Sequence, residues 1–364
     1  MWNAKWFKTG IAILLFFLII YVGSLVSFVF QPFVIAIEAL FLSFFVAGIL
    51  YYLTLPLAEW LYGHKFPRPA AIALIYLLIA GLLVLLGLTI GPVLQAEFER
   101  LVLNVPEKVS EFRGLIQNLE GNRVINQILD HEAFDYDNIV DNLTAALNNA
   151  LRQFALSIAA IIDFITSIFM TIVIIPFLLY YMLKEQGKGL IASLADKLAP
   201  ADYRDNIKSA LAEMNRMLGS YVQGLGLVCL CVGILAYIGF LLIGLDYALI
   251  LSIFIMITNI VPFLGPFIGA IPAVIVGILE SPLMMLKVVI VIVIVQQVES
   301  LLISPQVMGR KLSLSPLAII LIVLVAGRLG GLLGIILAIP VFTVMKIVAA
   351  HIYEHVALGK KSDS

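Results

Sequence analysis

Six stretches of the chain are apolar over enough length to cross a bilayer: residues 10–30, 33–57, 70–93, 154–183, 221–243 and 283–303. A hydrocarbon core of about 30 Å takes roughly 20 helical residues, so each predicts one membrane-spanning helix. Gln31-Pro32 reads as a tight turn between the first two, and His64, Lys65 and Arg68 separate the second from the third. After the third stretch the pattern changes. Val105, Val109, Phe112, Ile116 and Leu119 recur at helical spacing within polar sequence, and Tyr136, Val140, Leu143, Leu147, Ala150 and Phe154 do the same. This periodicity predicts two amphipathic helices over 95–153. They dock on each other, on the membrane or on a neighbouring protomer, or they form a solvated hairpin capping the bundle. A second amphipathic region, 184–220, carries Leu190, Leu194 and Leu198 on one short helix and Ile207, Leu211, Met214 and Leu218 on another.

Two further apolar segments do not fit as spans. Segment 247–279 would make a single helix of about 50 Å, too long for one crossing, yet two full crossings need roughly 40 residues. It is interrupted by Asn259, Pro262, Gly265, Pro266, Gly269 and Pro272. Two half-helices joined near 261–266, leaving on the side they entered near Glu280-Ser281-Pro282, fit better. Segment 313–349 is broken by Gly327-Arg328-Leu329-Gly330-Gly331, then by Gly334 and Pro340. It reads as a second hairpin, made of half-helices or of two short full spans. Both segments contain Ala-Ile-Pro, at 270–272 and 338–340. Helix breakers in a bilayer need protein or a watery cavity beside them, because no lipid group can satisfy the freed backbone. Paired interrupted segments are the sequence pointer to a transporter's binding region; the plainer alternative is that Pro and Gly are tolerated in membrane helices.

Composition agrees with this reading. Of 364 residues, 62% are hydrophobic and 12% charged, with a mean hydropathy of +1.11, which places the chain among all-α, polytopic membrane proteins. A formal net charge of −1 leaves no basic field for nucleic acid. Cys229 and Cys231 point about 200° apart on a helix and read as small core residues rather than a metal pair or a disulfide. Lys5 and Lys8 precede a first run that is longer than a signal peptide's apolar region and lacks a small-x-small site, so it reads as a retained span. Lys5, Lys8, Lys65, Arg68, the basic residues after Leu183, Arg310-Lys311 and Lys360-Lys361 can all be cytoplasmic together, which predicts both termini inside. The acidic segment 95–153 then falls outside. The expected organisation is a three-span region over 1–94, the outer amphipathic segment 95–153, a fourth span over 154–183 and cytoplasmic amphipathic helices over 184–220. A transport region over 221–350 with hairpins 247–279 and 313–349, and a cytoplasmic tail over 351–364, complete it.

Polar groups inside apolar runs are costly and are functional candidates by default. Gln296, Gln297 and Glu299, followed by Ser304-Pro305, form the densest set. Glu299 is placed to exchange protons, or to pair with Arg310 or Lys311 near the end of its span. Asn259 offers a donor and an acceptor to a solute hydroxyl or a cation. Arg328 contacts an anionic or polyhydroxyl solute, or snorkels to an interface. Asp246 marks the outer loop, while Glu38 and Asp163 lie closer to span interiors. His351-Ile-Tyr-Glu354-His355 matches the H-x-x-E-H pattern of zinc peptidases, but it sits at the end of the last helix with no third ligand following. The sequence therefore predicts no enzyme, no metal site and no cofactor.

Residues 261–272, Gln296-Gln297-Val298-Glu299, Ser304-Pro305-Gln306-Val307-Met308-Gly309, and Gly327 through Pro340 resemble the signature of the autoinducer-2 exporter family of bacterial inner-membrane proteins. Leu301 stands where that family often has Asn, and Ser313 and Ser315 stand where it has Gly and His. The resemblance implies a multi-pass permease of the bacterial inner membrane, with both termini cytoplasmic, forming a homo-oligomer; pentamers are known in the family. It also implies a role in quorum sensing through export of autoinducer-2, a small furanosyl molecule. Other members resemble sodium(lithium)/proton antiporters. The expectation is thus a transporter of a small polar solute, working through two opposed hairpins. Its pathway would be lined by Asn259, Pro262, Gly265, Pro266, Gly269, Pro272, Gln296, Gln297, Glu299, Ser304, Pro305, Arg328, Gly330, Gly331, Gly334 and Pro340. The alternatives are cation/proton antiport at Glu299 and a non-transporting membrane interaction protein.

Overall fold

Ten helices carry the described part of the molecule, a computed structural model that describes residues 27–119, 145–160, 174–185, 204–261, 264–307 and 315–362, with scattered positions between 11 and 18. They are α1 (Ser27–Gly63), α2 (Arg68–Thr89), α3 (Gly91–Leu119), α4 (145–160), α5 (Ile174–Glu185), α6 (Arg204–Ile243), α7 (Ala248–Thr258), α8 (Leu264–Glu280), α9 (Pro282–Val298) and α10 (Pro316–Ser362). No strand occurs among the described residues. Helices, which satisfy their backbone internally, are what an apolar solvent demands of such a sequence. Five described segments are long and apolar enough to cross a membrane: Leu40–Gly63, Arg68–Thr89, Arg204–Ile243, Pro282–Val307 and Leu333–His351. The chain is an all-α, multi-pass membrane protein.

Two boundaries differ from the sequence reading, and one segment it left open is narrowed. Gln31-Pro32 makes no turn: Pro32 lies inside α1, which runs unbroken from Ser27. A proline early in a long apolar helix forfeits one backbone hydrogen bond without ending it, and in membranes such losses are accommodated. Nor are 207–218 and 221–243 separate helices. They form the continuous α6 of 40 residues, because Gly219 is packed under the Tyr52 ring rather than acting as a breaker. Tyr52 also donates to Asn215 Oδ1 at 2.9 Å, and Gln223 donates to the Tyr52 carbonyl at 2.8 Å, fastening α6 to α1 along this stretch. Finally, the arm Leu333–His351 of the second hairpin is itself long enough to span, whereas its partner arm Leu317–Gly331 is shorter. The first span, the middle of the fourth (161–173), and residues 120–144 and 186–203 lie largely or wholly outside the described residues.

The interior has two parts. One is built by α1, α2 and α5 around Tyr51, Ala58, Leu61, Ile72, Ile75, Leu179 and Leu183. The other surrounds α6, α7, α8 and α9, with Val232, Phe240, Leu251, Ala273 and Val288 at its centre. Leu101 and Val109 of α3 and Leu147, Leu151 and Phe154 of α4 are buried in this second core. Of the periodic apolar positions of the polar segment, Val109, Leu147 and Phe154 therefore pack into the core built around the chain's own first hairpin. Long apolar side chains left exposed, such as Leu77, Leu83, Leu88 and Leu242, face the bilayer, where they cost nothing.

Candidate functional site

Helices α7 and α8 form a tight helix-turn-helix. α7 ends at Thr258 with Asn259 as its C-cap, and α8 starts at Leu264. Their crossing depends on two missing side chains. A Cβ on Gly265 would lie 2.0 Å from the Thr258 carbonyl oxygen, and one on Gly269 would lie 2.5 Å from Thr258 Oγ1. Pro266 lies half-buried in the first turn of α8, where its missing N–H costs little. Pro272 is buried inside α8. Pro262 lies outside the described residues.

The turn carries Asn259 into the interior, where only 3% of it remains exposed. Its side-chain amide lies beside the carboxylate of Glu299 and the Cys229 thiol of α6. Gln296, one helical turn before Glu299 on α9, lies beside the same carboxylate. Yet Glu299 Oε2 is buried and accepts no hydrogen bond among the described residues. A buried carboxylate oxygen without a donor is costly and calls for an explanation. A void with room for about one water molecule, lined in part by Ile255, Pro266, Phe240 and Gln296, reaches the cluster at Gln296 but is not lined by Glu299.

The backbone at Glu299 is also unusual. Residues Glu299–Ile303 form a π-helical turn, with Ser304 N–H bonded to the Glu299 carbonyl. Pro305, which follows at once, has no N–H to continue the α-helical ladder, and the wider turn is the local answer. Such π-turns inside α-helices are frequent at functional sites.

The opposite end of the first hairpin is clamped by α3. Glu97 accepts from the backbone N–H of Leu249 (3.4 Å) and Ile250 (2.8 Å), capping the first turn of α7. Lys108 pairs with Asp246 at 2.8 Å, and Asp246 N–H donates to Glu280 Oε1 at 3.0 Å. Tyr247, with φ 60°, makes the left-handed entry into α7; its hydroxyl donates to the Arg100 carbonyl at 3.4 Å and lies 3.5 Å from the Asn104 amide. Burial opposes the charge of Lys108, but the hydrogen bond and the charge of Asp246 outweigh it, so its pKa lies above the ordinary lysine value. Burial pushes the Glu280 carboxyl upward, against the hydrogen bond from Asp246.

The second hairpin is built differently. Gly330 (φ −129°, ψ 15°) and Gly331 (φ 57°, ψ −139°) make a sharp turn within α10, and Gly334 packs so closely that a Cβ would lie 2.0 Å from the Ala326 carbonyl oxygen. Arg328 at the tip is exposed, and Pro340 is half-buried in the longer arm. α10 packs chiefly on α6. The structure thus gathers Asn259, Gln296 and Glu299 into one cluster, with Gly265 and Gly269 shaping the turn. It leaves Arg328, Gly330, Gly331, Gly334 and Pro340 in a separate unit. Gln297 and Pro305 point outward and Ser304 is half-buried. Near the end of α10, His351 Nε2 lies 3.9 Å from Glu213 Oε2 of α6; the side chains of Glu354 and His355 lie outside the described residues, as do Arg310 and Lys311. Sequence reasoning placed Cys229 in the core without its polar neighbours and missed the capping role of Glu97. No local pattern signals either, since their partners lie far away in the chain.

Comparison with known proteins matches this architecture to one family over nearly its whole length. The family model "AI-2E family transporter" covers residues 11–354. The chain is 40% identical to "Putative transport protein YueF" of Bacillus subtilis (strain 168), over 96% of this chain and 94% of that one. It is 32% identical to "Putative transport protein YrrI" of the same organism, over 93% and 94% respectively. It is 23% identical, over 91% and 92%, to a protein of Halobacillus andaensis named "Sodium-lithium/proton antiporter". A family match over nearly the whole chain and relatives of 40% and 32% identity fix the assignment: the chain belongs to the AI-2E family of membrane transporters.

Proposed function

We propose that this transporter works at the Asn259–Gln296–Glu299 cluster, and that Glu299 alternates there between a proton and a monovalent cation. The observation that carries this reading is the buried Glu299 Oε2, which has no donor among the described residues and sits beside two side-chain amides. When protonated, Glu299 is neutral and its hydroxyl can donate to an amide oxygen. When deprotonated, it needs a counter-charge in a medium where an unpaired charge is expensive. Amide groups can turn their oxygens toward such an ion, and Asn259 and Gln296 each carry one. Binding of the cation and of the proton are then mutually exclusive, which is the requirement for exchange. The name of the Halobacillus andaensis relative supports the same reading.

Export of an autoinducer-2-like solute is the second reading, supported by the family's description. A furanosyl ring is much larger than the water-sized void beside Gln296, so this reading requires the Asn259 turn to swing away from α9 during transport. The Lys/Arg distribution supports cytoplasmic termini, with the Asp246–Glu280 clamp on the outer side. A homo-oligomer in the bacterial inner membrane belongs to the same proposal.

Proteoliposomes holding the purified chain and a pH-sensitive dye separate the two readings. Sodium or lithium added to one side is expected to drive proton movement, and Glu299→Gln to abolish it. Wild-type protein that exports the furanosyl solute but moves no protons with either ion would reject the exchange mechanism. So would an E299Q variant that works as well as wild type.

A further inference from the structure

We infer that the second hairpin holds an anionic phospholipid, its acyl chain lying between the two arms and its phosphate on Arg328. The proposal is independent of the chemistry at Glu299. Between the arms lies an open groove lined by apolar residues, including Leu321, Val325, Leu337, Val341, Phe342 and Met345. Leu329 and Gly330, at the tip, also line it. Arg328 belongs to this same tip. It is exposed and has no hydrogen-bond or ion-pair partner among the described residues.

An arginine at an apolar hairpin tip, without a partner among the described residues, is expensive in hydrocarbon unless its head reaches an anion or the interface. From Pro316 to Leu329 the first arm is about 21 Å long, so a tip entering from one face stops roughly 9 Å short of the other side of a core of about 30 Å. Snorkelling of the arginine side chain covers most of that remainder and brings its guanidinium to the depth of lipid phosphates, with which it forms forked hydrogen bonds. The lipid's acyl chain then runs back along the groove, parallel to both arms. This occupant satisfies charge and shape together. A zwitterionic lipid offers its phosphate already paired with an amine, and a second copy of this chain would have to supply both an acid and an apolar ridge.

The test is native mass spectrometry of the purified full-length chain, released from mixed micelles containing equal amounts of phosphatidylglycerol and phosphatidylcholine. Wild type is expected to retain phosphatidylglycerol preferentially, and Arg328→Gln to lower that preference about tenfold, the size of a lost charge-assisted hydrogen bond. Val325→Trp, which fills the groove, is expected to lose retention of both lipids, with circular dichroism confirming that the helices persist. Equal retention of the two lipids by wild type, or an unchanged preference in R328Q, overturns the proposal. So does a change of oligomeric state in V325W without any change in lipid retention, which would assign the groove to a second copy.

Discussion

The two hairpins share one folding device and differ in almost everything attached to it. In each, a glycine just past the turn lets the second arm pass within contact of a carbonyl oxygen of the first: Gly265 against Thr258, Gly334 against Ala326. The first hairpin is then held at both ends. Asn259 is buried against Glu299 and Cys229 at the turn, while Glu97, Lys108 and Glu280 secure the other end. The second has an exposed tip, an open groove and one main packing partner, α6. Tight crossing of two helices therefore does not itself make a polar site. The buried polar site arises where a third helix brings a carboxylate to the turn.

The largest expected effect tests whether the crossing and the cluster are linked. Gly265→Ala forces a Cβ against the Thr258 carbonyl and pushes the Asn259 turn away from α9. The expected cost is about 1–3 kcal/mol, as for other overpacked sites, together with loss of cation-driven proton flux. Gly334→Ala meets an equally close carbonyl and is expected to lose similar stability while keeping its flux, because its hairpin carries no part of the cluster. Thermal unfolding in detergent and flux in proteoliposomes measure both. Equal loss of flux in the two variants would mean that the hairpins work as one unit.

A smaller effect is expected at the clamp. Glu97→Ala removes the cap on α7 and leaves the Leu249 and Ile250 amides without an acceptor. The cost is about 0.5–2 kcal/mol, read as faster hydrogen exchange at the start of α7 with none in α10. Unchanged exchange there would show that α3 merely covers the hairpin.

The smallest effect concerns charge. Asp246 is more than half exposed, so solvent screens its pair with Lys108, and Lys108→Met is expected to cost about 0.2–1 kcal/mol. Because the folded-state pKa of Lys108 is raised, that contribution is whole below the ordinary lysine value of 10.5 and fades as pH climbs through the folded value. Glu280 works in the opposite sense. Its raised pKa means that its burial begins to cost stability as pH rises through 4.5, and the cost is complete above the folded value. Glu280→Gln is therefore expected to raise stability slightly at neutral pH and to leave it unchanged below 4.5. A chemical or thermal unfolding series across pH checks both signs.

Much of this was visible in the residue pattern. The apolar runs announced spanning helices because length and hydropathy act locally, and the positions of Asn259, Gly265 and Gly330-Gly331 announced the turns because backbone freedom is also local. Pro32 misled: a proline beside a glutamine looks like a turn, yet α1 runs through it, since one lost backbone hydrogen bond does not end a long apolar helix. The amphipathic spacing around Val109 predicted a helix without saying against what it would pack. Glu97 gave no signal at all, because an exposed-looking acid on an amphipathic helix is the same in sequence whether it meets water or a helix end.

What the sequence alone determined was the all-α membrane class, the two interrupted segments and the polar residues available to them, since each follows from the properties of neighbouring residues in a nonpolar solvent. What only the tertiary structure decided was that Asn259, Gln296, Glu299 and Cys229, from three helices, share one buried place while Arg328 stands apart from it. The reason is physical. Helix formation is dictated by near neighbours, but the side chains that meet are set by how whole helices pack, and that is a property of the assembled bundle.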